Sequence, residues 1–237
     1  MGKDFVIFGR NPVKEALRSK RVLSLFISDG FTDTTILSLA KDNKLNPVKV
    51  SNQELDKKCE GGVHQGVMAV IKPYEYLDFN ELIRRGKNKK VPIIVILDGI
   101  NDPHNFGAIM RSCDVFDVTG IVVGKHNQVP LNSTVAKTSA GAINFVPVAV
   151  TNNLNNAIAK LKENGYWIVS TDGSASLDYS DINYDFPVGL VIGSEGQGVS
   201  KLVLKNSDYV VKIPQYGHVN SLNASVAAGI MLARIRN

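Results

Sequence analysis

Cysteine is almost missing from this chain of 237 residues. Cys59 and Cys113 are the only two, too few for a disulfide framework and without the close spacing of a zinc site, so both are expected to be free thiols. Long hydrophobic runs are missing too: the longest unbroken ones, Ile93–Leu97 among them, have five residues, whereas a membrane-spanning helix needs about 18. The N-terminal stretch Met-Gly-Lys-Asp-Phe-Val-Ile-Phe-Gly-Arg lacks an apolar segment ahead of a small-residue cleavage site, and Val6 breaks the N-myristoylation pattern, so a cytoplasmic location is expected. The four histidines, His64, His104, His126 and His218, include no close pair at ligand spacing. They are expected in hydrogen-bonding loops, and no metal is expected.

What is present is ordinary in bulk. Hydrophobic residues make up 44% and charged residues 21%, enough to bury a core and incompatible with a disordered chain. The length allows one or two domains. Charge is the uneven quantity. The net charge is +5, yet residues 1–90 hold 17 Lys and Arg against 11 Asp and Glu, and residues 91–237 hold 10 against 11. All of the positive excess therefore lies in the first part, in clusters at Arg18, Lys20 and Arg21, at Lys57 and Lys58, and at Arg84, Arg85, Lys87, Lys89 and Lys90. Such clusters are either solvated faces or a phosphate-contacting module joined to a nearly neutral second domain.

Residues 1–72 alternate short apolar runs at 5–8, 22–28, 48–50 and 67–71 with helical patterns near 11–19 and 33–43 and a short one from Asn52. This predicts a small α/β domain. Residues 73–91, opened by Pro73 and Tyr74, read as a basic, weakly helical linker. Residues 92–237 restart with Pro-Ile-Ile-Val-Ile-Leu, too apolar for a half-exposed strand and so expected in the middle of a parallel sheet. Further strands are predicted at 120–123, 145–150, 166–170, 188–192 and 209–213, with helices at 105–116, 131–142, 153–164, 199–205 and 221–235. The class is α/β throughout, and Trp167 is expected in the core.

Three polar segments rich in Gly or Asn interrupt strand-helix joints of the second part. In Asp102-Pro103-His104-Asn105-Phe106-Gly107-Ala108-Ile109-Met110-Arg111, a helix starting near Asn105 would lean the Arg111 guanidinium back over two small residues close to free backbone amides, a phosphate-sized anion site. A surface arginine on an amphipathic helix is the simpler alternative. The second segment, Ile192-Gly193-Ser194-Glu195-Gly196-Gln197-Gly198, ends a strand in three glycines that let backbone approach a ligand. It is neither a P-loop nor a dinucleotide fingerprint, and Glu195 suits an uncharged or cationic ligand better than a pyrophosphate. The third runs from Ile213 and Pro214 to Ser221-Leu222-Asn223-Ala224-Ser225, with Ser221 or Asn220 a candidate helix cap. The helix after it carries Ala224, Ala227, Ala228, Gly229 and Ala233, a face fit for close packing against its own sheet or another subunit.

Taken together and in order, Asn-x-Gly-x-x-x-Arg (105–111), Gly-Ser-Glu-Gly-x-Gly (193–198) and Ile-Pro…Ser-Leu-Asn-x-Ser (213–225) resemble the three motifs of the SpoU (TrmH) family of RNA 2′-O-ribose methyltransferases in the SPOUT superfamily. Near the N-terminus, Phe8-Gly9-Arg10-Asn11-Pro12-Val13-x-Glu15-Ala16-Leu17 and His64-Gln65-Gly66-Val67 resemble the small substrate-binding domain of the RlmB-like branch, which modifies a guanosine of large-subunit ribosomal RNA. The resemblance covers nearly the whole chain. It implies an RNA substrate-binding domain at 1–72, and a SPOUT domain at 92–237 whose parallel sheet carries a trefoil knot, one of the rare exceptions to unknotted topology. It implies S-adenosyl-L-methionine as cofactor, held by the backbone of Gly193, Ile213 and Leu222, with Ile192, Gly196, Gly198 and Pro214 beside them. It places Asn105, Arg111, Glu195, Ser221 and Asn223 at the active-site positions, and it implies a homodimer.

Three functions remain to be separated. Methyl transfer from a sulfonium to a ribose hydroxyl, on ribosomal or transfer RNA, needs positioning and local electrostatics and no metal. A nucleotide-cofactor oxidoreductase of doubly wound type is disfavoured because no dinucleotide fingerprint follows the first strand of either domain. A non-catalytic RNA-binding protein would have no use for Arg111, Glu195 and Asn223 together.

Overall fold

The computed structural model describes residues 5–219 and 221–237; the cap alternative Asn220 lies outside them. The chain forms two compact units. One comprises residues 1–75 with 131–144, the other residues 76–130 with 145–237.

The first unit opens with β1 (Phe5–Phe8), α1 (Arg10–Arg18), β2 (Val22–Ser28), α2 (Thr34–Asp42), β3 (Val48–Val50), α3 (Asn52–Lys58) and β4 (Val67–Ile71). These are the elements the apolar periodicity predicts. The sheet order is β1-β4-β2-β3, antiparallel except where β2 pairs with β3. Val13, Ala16 and Leu17 of α1 and Ile36 and Ala40 of α2 are buried. Asp33 caps α2 by accepting from the Ile36 amide, and its other oxygen meets Lys14 Nζ at 3.0 Å. The hydrogen bond from that ammonium holds the Asp33 carboxyl below the usual carboxylate range.

The second unit begins with α4 (Phe79–Gly86), β5 (Ile93–Asp98), α5 (Pro103–Val115) and β6 (Gly120–Gly124). The chain then passes through α6 (Ser133–Thr138) and a 3₁₀ turn at Ala142–Asn144, both part of the first unit. It continues with β7 (Val148–Thr151), α7 (Leu154–Glu163), β8 (Trp167–Thr171), β9 (Leu177–Asp178), β10 (Val188–Gly193), α8 (Lys201–Asn206), β11 (Tyr209–Lys212) and α9 (Ala224–Arg236). Among the described residues the seven strands of this unit run parallel in the order β7-β6-β5-β10-β8-β11-β9. Ile93–Leu97 are fully buried beside β10, as a run without polar alternation requires.

Four expectations are corrected. Residues 73–91 are not a linker: α4 buries Leu82 and Ile83 in the core formed by Ile94, Ile96, Val122 and Leu161. The basic residues that suggested a solvated connector occupy only its outer face, where Arg84 and Arg85 both pair with Glu81. Residues 131–144 group with the first unit rather than with the parallel sheet, and the helix expected there is cut to six residues. Trp167 is 46% exposed and lies against Phe186 and Tyr209, with ring centroids 5.5 and 5.7 Å away. It is the first residue of β8, and these two rings leave much of its surface in solvent. The final helix starts at Ala224, because Asn223 and not Ser221 caps it. Both thiols are free and buried, and burial raises the pKa of each, most of all Cys113. No described helix is long and apolar enough to cross a membrane.

Candidate active site

Strands β5, β10 and β8 lie side by side, and ligands of open α/β sheets bind at the carboxyl ends of such strands. The loop after β10 is a tight ring closed by Gly198 N donating to Ser194 O at 2.9 Å. Its far side is tied to β5, since Asp98 Oδ2 accepts from the Ser200 amide at 2.8 Å. Gly193 is where the ring returns on its own strand. A Cβ there would lie 2.1 Å from Gly198 C and 2.2 Å from Val199 N, so only glycine lets the loop close.

Two helix N-termini bring amide side chains to this loop. Asp102 caps α5 by accepting from His104 N at 2.8 Å, and Asn105 follows in the first turn, 7% exposed. Asn223 caps α9, its Oδ1 accepting from the amides of Ser225 and Val226 and from Ser225 Oγ. That use of the carbonyl oxygen points the Asn223 amino group the other way, where it donates to Asn105 Oδ1 at 2.9 Å and to Glu195 Oε1. Asn105 Nδ2 also donates to Glu195 Oε1, at 2.9 Å. Each asparagine thus needs both its acceptor and its donor, which an aspartate could not supply. The Glu195 carboxylate is fixed by two amide donors near two helix N-termini.

Glu195 stands where two cavities meet. One, of about 960 Å³, is lined by Asp98, Asn101, Asn105, Gln197 and Lys201 among others. The second, of about 140 Å³, is bordered by Ile192, Gly193, Val211, Ile213, Leu222 and Ala224, with Thr171, Asp172, Gln215 and Ser221 among its polar side chains. Ser194, Glu195 and Gly198 line both. Apolar walls, strand-end backbone groups and one carboxylate are the chemistry that receives an apolar ring system carrying a cationic group. A larger polar cavity across the same carboxylate leaves room for a second reactant.

Asn105, Glu195 and Asn223 are therefore joined, while Ser221 lines the second cavity. Of the backbone positions expected at a cofactor, Ile192, Gly193, Gly198, Ile213 and Leu222 border that cavity. Gly196 faces the larger one, and Pro214 borders neither. Arg111 stands apart. Six residues after Asn105 it is about 9 Å further along the axis and some 240° around it. It is exposed, with no hydrogen bond or ion pair to another described residue. Because α5 starts at Pro103, the first-turn amides lie more than a turn behind Arg111, and the expected pairing of guanidinium and free amides is not assembled. Sequence reasoning missed Asp98, Thr171 and Asp172, which follow or end buried strands. The only signal was a polar residue directly after an apolar run.

Of the predicted small-residue face of α9, Ala224 and Ala228 are buried. A Cβ on Gly229 would meet Ser112 Oγ of α5 at 3.8 Å. Part of that face is thus used within the chain, while Val226 remains 48% exposed.

Residues 92–233 match the model of the SpoU rRNA Methylase family, and residues 6–77 match that of RNA 2′-O ribose methyltransferase substrate binding. A protein of Staphylococcus haemolyticus described as a TrmH family tRNA/rRNA methyltransferase is 45% identical over 238 residues, covering 98% of this chain and 95% of that protein. Among solved structures, the SpoU methyltransferase AviRb from Streptomyces viridochromogenes in complex with AdoMet has a TM-score of 0.82 at 23% identity, over 98% of this chain and 89% of that one. An AdoMet-bound rRNA methyltransferase from Sinorhizobium meliloti gives 0.83 at 23%, over 99% and 87%.

Proposed function

The chain belongs to the SpoU rRNA methylase family, and from that premise we propose that it methylates a ribose 2′-hydroxyl of RNA with S-adenosyl-L-methionine, on a guanosine of large-subunit ribosomal RNA. One observation carries this reading: the Asn105–Glu195–Asn223 circuit stands between two cavities, one walled by apolar side chains and strand-end backbone beside a carboxylate and one large enough for an RNA residue. The cofactor, when bound, supplies a methyl group on a positively charged sulfur. The second cavity is its site, with strand-end backbone of Gly193 and Ile213 against it and Leu222 as an apolar wall. Such close, oriented placement of the two reactants supplies most of the catalysis such a transfer needs.

The residues divide the remaining work. Glu195, with Oε1 saturated by amide donors, is a fixed negative charge beside the reacting atoms, complementary to a cationic methyl donor. Ser221 and Asn105 offer short polar groups that can orient a ribose. Arg111 binds the phosphate next to that ribose. A guanidinium keeps its proton up to a pKa above about 12, so orientation and charge are its contribution rather than proton abstraction. With a methyl donor bound in the second cavity, the ribose hydroxyl would give up its proton, to water or to a neighbouring side chain, as it takes the methyl group.

The family's trefoil knot belongs to the same reading, which the sheet order supports: β10 is inserted between β5 and β8, and β11 between β8 and β9, all laid down earlier in the chain. So do a homodimer through α9 and a cytoplasmic site of action, where ribosomal RNA is processed. The test is transfer of labelled methyl groups from S-adenosylmethionine to protein-free RNA. Ribosomal and transfer RNA from cells lacking the gene are tried separately, followed by mapping of alkali-resistant linkages. Incorporation into a ribosomal guanosine ribose is expected. Incorporation into transfer RNA alone would redirect the substrate, and methylated bases would overturn the reading.

A further inference from the structure

A third cavity, of about 630 Å³, lies wholly within the first unit. Its size is in the range of about 300–1,000 Å³ typical of small-ligand sites. One wall is the β1–α1 joint with Phe8, Gly9, Asn11 and Arg18, another is the loop with Val63 and Gln65, and the third is the excursion with Lys137, Ala140 and Gly141.

The walls are held by backbone in unusual conformations. Gly9 has φ 91°, Gln65 53°, Ala140 51° and Gly141 100°. For the two residues with side chains the left-handed region is disfavoured by contact between Cβ and the carbonyl, and strain of this kind concentrates at ligand sites. It has a geometric use here. Gln65 Oε1 accepts from the Arg10 amide at 2.9 Å, fixing the entry to α1, and a Cβ on Gly141 would lie 2.9 Å from Glu15 Cγ. The excursion is therefore drawn onto α1 more closely than an ordinary residue would allow.

The walls carry cations, carboxamides and one carboxylate. Lys137 Nζ sits 5.4 Å from the Phe8 ring centroid with no ion-pair partner among the described residues. Arg18 pairs with Glu15, a carboxylate that also lines the cleft, and a phosphate there would compete with Glu15 for the guanidinium. Lys14, by contrast, is committed to Asp33. Two cations for phosphate and the amides of Asn11 and Gln65 for base edges suit RNA better than any other polyanion.

We propose that this cleft binds a nucleotide of the RNA substrate, with Lys137 and Arg18 on its flanking phosphates, so that the RNA site of the first unit is completed by residues 131–144 from the later part of the chain. The proposal rests on the RNA methyltransferase reading and adds the place at which the RNA is held. It differs from a diffuse basic surface in one respect: removing a cation inside the cleft must matter more than removing one outside it.

The test is fluorescence anisotropy of the full-length protein with a fluorescein-labelled RNA hairpin bearing a ten-nucleotide loop, from 50 to 300 mM salt. The cleft variants are Lys137→Ala and Arg18→Ala, and the comparators are Lys41→Ala and Lys49→Ala on the same unit. One phosphate contact contributes roughly 0.7–0.9 to the logarithmic salt slope, so its loss weakens binding about five- to eight-fold at 0.1 M. Each cleft variant should lose that much and flatten the slope by nearly one, with the comparators unchanged. Equal effects in all four, or none in the cleft pair, would overturn the proposal. Methyl transfer at saturating RNA separates the two claims: its retention in the cleft variants upholds the parent reading whatever the slopes show, and its absence in the wild type defeats that reading.

Discussion

The three glycines of the 193–198 loop look interchangeable in sequence, and their surroundings make them a graded series of perturbations. At Gly193 an added methyl group would lie 2.1, 2.2 and 2.3 Å from backbone atoms of Gly198 and Val199, against an ordinary contact of 3.4 Å or more. No rotamer relieves a clash with backbone, so the loop must retreat by over an ångström. It is pinned at both ends, by Gly198 N to Ser194 O and by Ser200 N to Asp98. Overpacking of this kind costs about 1–3 kcal/mol, or roughly 2–12 °C in Tm for a chain of this size. Glu195 rides on the loop and would leave hydrogen-bond range of Asn105, and a misplacement of about 1 Å at a reacting centre costs on the order of 100-fold in rate. At Gly198, φ is 65° and nothing lies within 4 Å, so Gly198→Ala costs only conformational strain of about 1–2 kcal/mol. At Gly196 there is open space and no positive φ, so Gly196→Ala should leave stability within about 0.5 kcal/mol. Scanning calorimetry, titration calorimetry with S-adenosylmethionine and single-turnover methylation are the assays. The expected order of damage is Gly193, Gly198, Gly196. A Gly193→Ala protein with wild-type Tm and cofactor affinity, or equal damage at all three, would refute the geometry.

Three further outcomes are expected. If Arg111 orients phosphate, Arg111→Lys keeps part of the single-turnover rate and Arg111→Ala does not; a lysine variant whose rate climbs tenfold per pH unit between about pH 7 and 10 while the wild type stays flat would instead make Arg111 the base. Light scattering should show a dimer independent of concentration down to micromolar, and a monomer that still methylates RNA would remove the α9 interface. Because the Asp33 pKa lies below its unfolded value of 3.8, its ion pair stabilises the fold above that pH and is lost as pH falls through the folded value. Asp33→Asn, which keeps a capping oxygen, should lower Tm at pH 7 and converge with the wild type in strong acid; a constant difference across pH would contradict the Lys14 pairing.

The sequence by itself determined what depends on neighbours along the chain. Period-two and helical patterns located the strands of the first unit, from β1 to β4, and the apolar run at 93–97 placed β5 at the centre of a sheet, since each follows from which side of a segment must avoid water. The glycines at 193–198 and the polar joints at 105 and 223 were visible for the same reason. Tertiary structure alone decided which segments meet. Asn105 and Asn223 are 118 residues apart, and they close on Glu195 only because β10 is laid beside β5 and α9 beside α5. Hydrophobicity says that Leu82 and Ile83 must be buried, but it does not say against what, so α4 passed for a linker until the sheet covered it. The same limit hid the attachment of residues 131–144 to the first unit and the exposed ring of Trp167. An apolar pattern specifies a face, and the partner of that face is set by long-range packing, where loop-closure entropy and sheet order are properties of the whole chain.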